Sequence, residues 1–146
     1  MATRFGAAAF AAIMLCTLPA AAGSHGSQPS LRVLGTYESG LFNVGGAEIP
    51  TFDPLTRRAF VVNAGSATVD VLDLRPPHRP SRVASLDIAA DLAPRSVGAA
   101  NRVDARFGVL AVTVEADPKQ DDGYIAFYST FSLKLPGLAP AGACCT

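Results

Sequence analysis

The sequence has no tryptophan and, among 146 residues, only two histidines and three cysteines. These shortages remove whole classes of chemistry. His25 and His78 stand alone in Gly-, Pro- and Ser-rich stretches, and no His-x-x-x-His or Cys-x-x-Cys pair offers the spacing zinc requires. There is no Gly-x-Ser-x-Gly nucleophile elbow. No glycine-rich phosphate loop precedes a helix, and after the first 22 residues no amphipathic helical pattern occurs. The formal net charge is +0, so no basic field draws in nucleic acid or an anionic membrane surface. The Arg57-Arg58 pair reads as a solvated turn. Past the N-terminus no apolar run is long enough to span a bilayer.

The first long apolar run is itself an address. Arg4 supplies a positive start, Phe5–Leu18 carries no charge, and Ala20-Ala21-Ala22 places small residues before Gly23. That pattern predicts a secretory signal peptide over 1–22, cleaved after Ala22, and a secreted, periplasmic or cell-surface destination. Cys16 follows Leu15 rather than a small residue, which argues against lipidation. Residues 23–30, GSHGSQPS, are expected to be a flexible mature N-terminus. The adjacent Cys144-Cys145 pair near Thr146 lacks further ligands for a metal and would close only a strained ring.

What remains reads as short strands and turns. Leu31–Tyr37 predicts a strand. From Gly46 to Leu74 three more follow: Ala47–Phe52, Ala59–Asn63 and Thr68–Leu74, with turns at Asp53–Thr56 and Ala64–Ala67. Val69 and Val71 share one face and Asp70 takes the other, while the continuous run Ala59–Val62 suits a strand covered on both faces. Arg75–Ser81, with three prolines, cannot be regular, and Arg82–Ile88 predicts a fourth strand with Val83 and Leu86 as core contacts. After a Pro-containing connection at Asp91–Arg95 the pattern starts again. Val97–Ala100, Leu110–Val114, Tyr124–Tyr128 and Phe131–Leu135 are the strands, with a turn at Asp104–Gly108 and a polar loop at Asp117–Gly123.

A unit of four strands repeated after about 50 residues predicts an all-β fold made of β-propeller blades. A small β-sandwich has similar turn spacing and is the alternative.

Carboxylates are the only candidates for a site. Asp117, Asp121 and Asp122 crowd the loop before Gly123 and suggest calcium, but Lys119 stands at the third position of an EF-hand-like loop, where a ligand oxygen belongs. The loop reads first as a solvated hairpin connection. Glu48 and Glu115 lie at predicted strand ends, where two acids on one rim could share a proton or a metal. They come from non-equivalent strands, so each is expected to be a rim residue hydrogen-bonded to nearby loop backbone. No catalytic residue and no bound cofactor is expected.

The run GAEIPTFDPLTRRAFVVNAGSATVDVLDL at Gly46–Leu74, LAVTVEA at Leu110–Ala116 and DGYIAFYS at Asp122–Ser129 resembles the choice-of-anchor I family of secreted or surface proteins. The likeness spans about Leu31 to Ala143. It implies a seven-bladed propeller of the YVTN and WD-repeat kind, often carried with a surface anchor. Some such domains are joined to phosphoesterase or nuclease domains and labelled alkaline phosphatase. The resemblance therefore implies an extracellular binding or scaffold module, with a protein or glycan ligand, or alternatively an accessory part of a metal-dependent phosphoesterase. It implies no catalytic residues in the propeller. Where the family continues with Gly-Ala-Leu-Pro-Asp, this chain has Ala141-Gly142-Ala143 and then Cys144-Cys145-Thr146. Residues 144–146 are thus expected to be an aberrant tail, and residues 31–143 a propeller cut after about two blades, with the remaining blades as its missing partner.

Overall fold

The computed structural model describes residues 29–40 and 47–142. The expected signal peptide, flexible N-terminus and C-terminal tail lie wholly or largely outside those residues. The chain divides after Leu31. The described residues before that point carry no regular structure, and every described strand and helix belongs to the unit that begins at Arg32.

The fold is all-β: two antiparallel four-stranded sheets, no closed barrel and little helix. In the first sheet β1 (Ile49–Asp53), β2 (Arg58–Asn63), β3 (Thr68–Asp73) and β4 (Ser81–Asp87) pair in chain order. In the second, β5 (Val97–Arg106), β6 (Val109–Ala116), β7 (Tyr124–Ser129) and β8 (Gly137–Pro140) do the same. A five-residue helix, α1 (Ile88–Leu92), joins them.

Turn chemistry explains the meander. Asp53 closes β1–β2 by accepting the Leu55 N–H at 3.2 Å and the Thr56 hydroxyl at 2.8 Å, the side-chain mimicry of a turn that Asp performs. Asn63 ends β2: its Oδ1 accepts from Ala47 N at 2.9 Å and its Nδ2 donates to Thr68 Oγ1 at 3.3 Å. Between β5 and β6 the two central residues, Phe107 and Gly108, have φ of 52° and 83°. Positive φ at both is the condition of the tight type I′ hairpin. Gly123 is required by proximity, since a Cβ there would stand 2.5 Å from the Val114 carbonyl oxygen.

Several sequence expectations are corrected. Leu31–Tyr37 forms no strand; instead Gly35 lies against the Pro77–Pro80 backbone, where a Cβ would come within 2.4 Å of Pro77 O. Both faces are covered at β3 rather than β2: Val69, Asp70, Val71 and Leu72 are all buried. Val83 is not a core contact but is 49% exposed. The ladder shifts between Val71↔Ala84 and Leu72↔Arg82, leaving Val83 as the extra residue of a bulge, and Ala84 and Leu86 face inward. Ile88 leaves the predicted fourth strand to start α1. The Asp87 carboxylate accepts from Ala90 N at 3.0 Å, and Ile88 and Leu92, one turn apart, are buried together.

β5 runs ten residues, through the predicted turn at Asp104. The expected strand Phe131–Leu135 is a reversal. Ser129 Oγ accepts from Phe131 N and Ser132 N, Leu133 N donates to Ser129 O at 2.8 Å, and pairing resumes with Phe127↔Gly137. Short polar caps outweigh the apolar content of Phe131, Leu133 and Leu135.

The two registers make the sheets equivalent repeats. Asp53↔Arg58 and Asn63↔Thr68 correspond to Arg106↔Val109 and Val114↔Tyr124. On that superposition Phe60, Val62, Val69 and Val71, the front of the first sheet, match Ala111, Thr113, Ile125 and Phe127 of the second. Leu110, Val112, Ala126 and Tyr128, the back of the second sheet, match Ala59, Val61, Asp70 and Leu72 of the first. The core forms where front meets back. Phe60, Val62, Val69 and Val71 pack in one cluster with Leu110, Val112, Ala126 and Tyr128. β5 lies against β1 and β2, and Ala105 N–H donates to Thr51 Oγ1 at 3.1 Å across the sheets.

Candidate functional site

The sequence-predicted acids fall in different places. Glu115 lies within β6, on the face opposite Leu110, Val112 and Val114, and reaches over β5. There the ladder is irregular between Val97 and Arg102, and Glu115 Oε1 accepts the Ala99 N–H at 3.2 Å. Gly98 makes room, since a Cβ would meet Glu115 Cγ at 2.9 Å. Asn101 Nδ2 donates at 3.3 Å, and Lys119 Nζ stands 3.2 Å from Oε1. The Ala99 hydrogen bond, with help from Asn101 and Lys119, holds the Glu115 carboxyl below its usual pKa although burial opposes this. Glu115 is therefore ionised at neutral pH and suited to bracing a bulge, not to donating a proton.

The partners of the Glu115 carboxylate are Ala99, Asn101 and Lys119, and Glu48 lies apart in sequence before β1. The Glu48 backbone N–H donates to Val62 O at 2.9 Å, just before β1 begins. Glu115 bonds to the strand backbone of β5 at Ala99 and not to the loop backbone expected from the sequence. Glu115→Gln keeps the acceptor and removes the charge, and we expect it to cost about 1 kcal/mol in urea unfolding at neutral pH. An unchanged midpoint would contradict the bracing role.

The acidic loop does not gather its carboxylates. Asp117 turns to Ser96, with Ser96 Oγ to Asp117 Oδ2 at 3.5 Å, and Asp121 and Asp122 are exposed. Lys119, the residue that breaks the calcium pattern, turns back to Glu115. Among the described residues no three His, Cys, Asp or Glu side chains assemble to hold a metal ion. His78 sits in the β3–β4 connection, as its prolines require.

Three clefts among the described residues bear on these side chains. One of about 420 Å³ lies beside Glu115, between Asn101, Arg102, Thr113, Tyr124 and Gly142; Arg95 stacks on Tyr124 at 5.6 Å. A smaller one, about 170 Å³, lies between the β1–β2 turn and the Ser129–Leu133 reversal, lined by Leu55, Thr56, Arg58, Arg75 and Phe131. Here Arg58 Nη1 donates to Thr130 O at 2.8 Å and Phe131 O at 3.2 Å, tying the sheets together, while Arg75 is held bidentate by Asp73 at 3.0 and 3.1 Å. The third, about 260 Å³, lies on the back of the first sheet, where Tyr37 and Ser39 stand over Val61, Asp70 and Leu72.

Sequence reasoning misses Arg58, which local pattern presents as a solvated turn residue, and the buried Asp53. Asp-x-x-Thr at a turn start is a readable capping signal for Asp53; the bond from Arg58 to a carbonyl 72 residues away has no local sign.

No protein-family model matches the sequence. No curated protein matches it at a significant level either. No helix among the described residues is long and apolar enough to cross a membrane.

Proposed function

We propose that the chain is an exported binding and scaffold module of the choice-of-anchor I kind, built of β-propeller blades and without catalysis of its own. The observation that carries this reading is the front-to-back packing of two equivalent meanders. A sandwich made by a two-fold relation brings equivalent faces together; blades stacked around a propeller bring inequivalent ones together, as here. The site chemistry agrees with it. Of the acids that line the clefts, Glu115 is committed to backbone and lysine and Asp70 is paired with Arg82 at 3.4 Å, which favours holding over proton transfer. The clefts at strand ends offer mixed polar and aromatic surfaces, Tyr124 with Arg95 foremost, of the sort that stack on sugar rings or side chains of a partner.

The test is a purified chain beginning at Gly23. It is screened against immobilised glycans and extracellular proteins, and assayed in parallel for hydrolysis of p-nitrophenyl phosphate with zinc, magnesium or calcium. Saturable binding weakened by Tyr124→Ala, with no turnover, is expected. Metal-dependent turnover would overturn the reading in favour of a phosphoesterase part.

A further inference from the structure

In the cleft of about 420 Å³ beside Glu115, bonding capacity is left over. Residues two apart on a strand share a face, so Thr113 and Glu115 project together from β6, and Arg102 on β5 is the register partner of Thr113. All three line the cleft, with Asn101 beside them, while Gly123 and Gly142 add no side chains and leave the space open. The volume falls within the roughly 300–1,000 Å³ of small-ligand pockets.

The Glu115 side chain is only 9% exposed, and its carboxyl is held below the usual range. An ionised carboxylate offers about four lone-pair sites. Oε1 takes the Ala99 N–H and Lys119 Nζ, whereas Oε2 takes only Asn101 Nδ2, at 3.3 Å. One acceptor site on Oε2 is therefore left. Arg102 is the opposite case. It is exposed, and the ion pairs among the described residues are Asp73 with Arg75, Asp70 with Arg82 and Glu115 with Lys119. Its guanidinium brings a fork of donors to the cleft with no acid on it.

We propose that this cleft binds an acidic sugar, a uronate residue of a polysaccharide, with its carboxylate on Arg102 and a ring hydroxyl donating to Glu115 Oε2. Neighbouring chemistries fit less well. A ligand ammonium at Glu115 would stand beside Lys119, so the open site on Oε2 suits a neutral O–H donor. A phosphate would bring nearly two negative charges toward the Glu115 carboxylate. A carboxylate brings one, in the flat geometry that a guanidinium fork matches. The inference rests on the binding-module reading and names the ligand class for the cleft beside Glu115.

The test is calorimetric titration of the full chain with trigalacturonate and with its methyl ester, which keeps the rings and hydroxyls and removes the charge. EDTA is present, so that calcium does not bridge the acid. The acid is expected to bind saturably, and the ester about tenfold more weakly. Arg102→Gln, an exposed position, is expected to lower affinity for the acid by a similar factor and to leave the ester unaffected. The ester comparison stands even where that variant does not fold. Equal binding of acid and ester overturns the inference and leaves the binding module standing. Equally tight binding of dextran sulfate overturns it too, since charge alone would then be read. Failure to bind either trimer also overturns it, and the module reading falls with it only where the wider screen of glycans and proteins yields no ligand.

Discussion

Phe60→Ala is expected to lower the unfolding free energy by about 3–5 kcal/mol, enough to unfold a marginal domain of this size. Phe60 is fully buried in β2, on the front of the first sheet, and belongs to the cluster that Leu110, Val112 and Tyr128 complete from the other sheet. Its removal leaves a void that neither sheet can close alone, because each is held in register by its own ladder. The control is Phe107→Ala. Phe107 is 82% exposed at the tip of the β5–β6 hairpin, and its loss is expected to stay within about 0.5 kcal/mol. Urea unfolding of both variants is the check. Equal effects would mean that the buried seam is not where these sheets meet.

Asp53→Ala is expected to cost about 2–3 kcal/mol, since it strands the Thr56 hydroxyl and the Leu55 N–H in a buried turn. The carboxylate is fully buried. Burial alone would raise its pKa, yet the Thr130 hydroxyl beside it, the Thr56 hydroxyl and the Leu55 and Thr56 amides together hold it below the ordinary value. The Thr130 hydroxyl stops short of full hydrogen-bond geometry, so Thr56 and the amides are the firmer partners.

The direction of the shift sets the pH dependence. A pKa lower in the folded chain than in the unfolded one gives stability that is complete above the unfolded value, near 4. It is lost as pH falls through the depressed folded value. Asp73, lowered by its hydrogen bonds to Arg75, and Glu115 act in the same direction. The chain should therefore hold a level melting temperature from neutral pH down to about 5 and lose stability below about 4. Asp53→Ala should start lower and fall less steeply. A parallel decline in both proteins would contradict the assignment.

The strands legible in the sequence are the apolar runs bounded by turn residues, with or without a strict period of two. Ile49–Asp53, Arg58–Asn63, Thr68–Asp73, Ser81–Asp87, Val109–Ala116 and Tyr124–Ser129 fall within two residues of their expected ends. β5 is longer than its pattern predicts because Asn101, Arg102 and Asp104 look like a loop; the strand tolerates them because they face outward on an edge strand. α1 is one turn and a fraction, too short to build a periodic pattern, and its only sign is Asp87 three residues before Ala90. Val83 escapes pattern reading because a bulge breaks the alternation on which such reading depends. Placing Val83 and Leu86 on one face, three residues apart, already conflicts with a period of two. β8 lies beyond its expected position because Phe131 and Leu133 are apolar but serve a turn capped by Ser129.

The candidate acids are visible in the sequence as residues but not as contacts. Alternation alone places Glu115 opposite the core face, whereas its bond to Ala99 depends on an irregularity in a different strand. Arg58 shows the same limit.

Tyr128 marks how far local reading can go. Its side chain is expected on a strand, and it is fully buried there. Its hydroxyl donates to Asp91 Oδ2 at 3.0 Å, and burial together with this carboxylate raises the phenol pKa. That bond joins β7 to the short helix after β4, two elements whose meeting follows only from the packing of one sheet on the other.

Amide hydrogen exchange at Ala105 tests that packing most directly. Ala105 N–H donates across the seam to Thr51 Oγ1, so its protection depends on the front of the first sheet lying against β5. Thr51→Val preserves shape and removes the acceptor. Strong protection of Ala105 in the unmodified chain is expected, with loss of protection at that amide in the variant and a cost of about 1 kcal/mol in overall stability. Protection of Ala105 that is unchanged by Thr51→Val would mean that β1 and β5 do not meet as described, and that the two sheets pack in some other way.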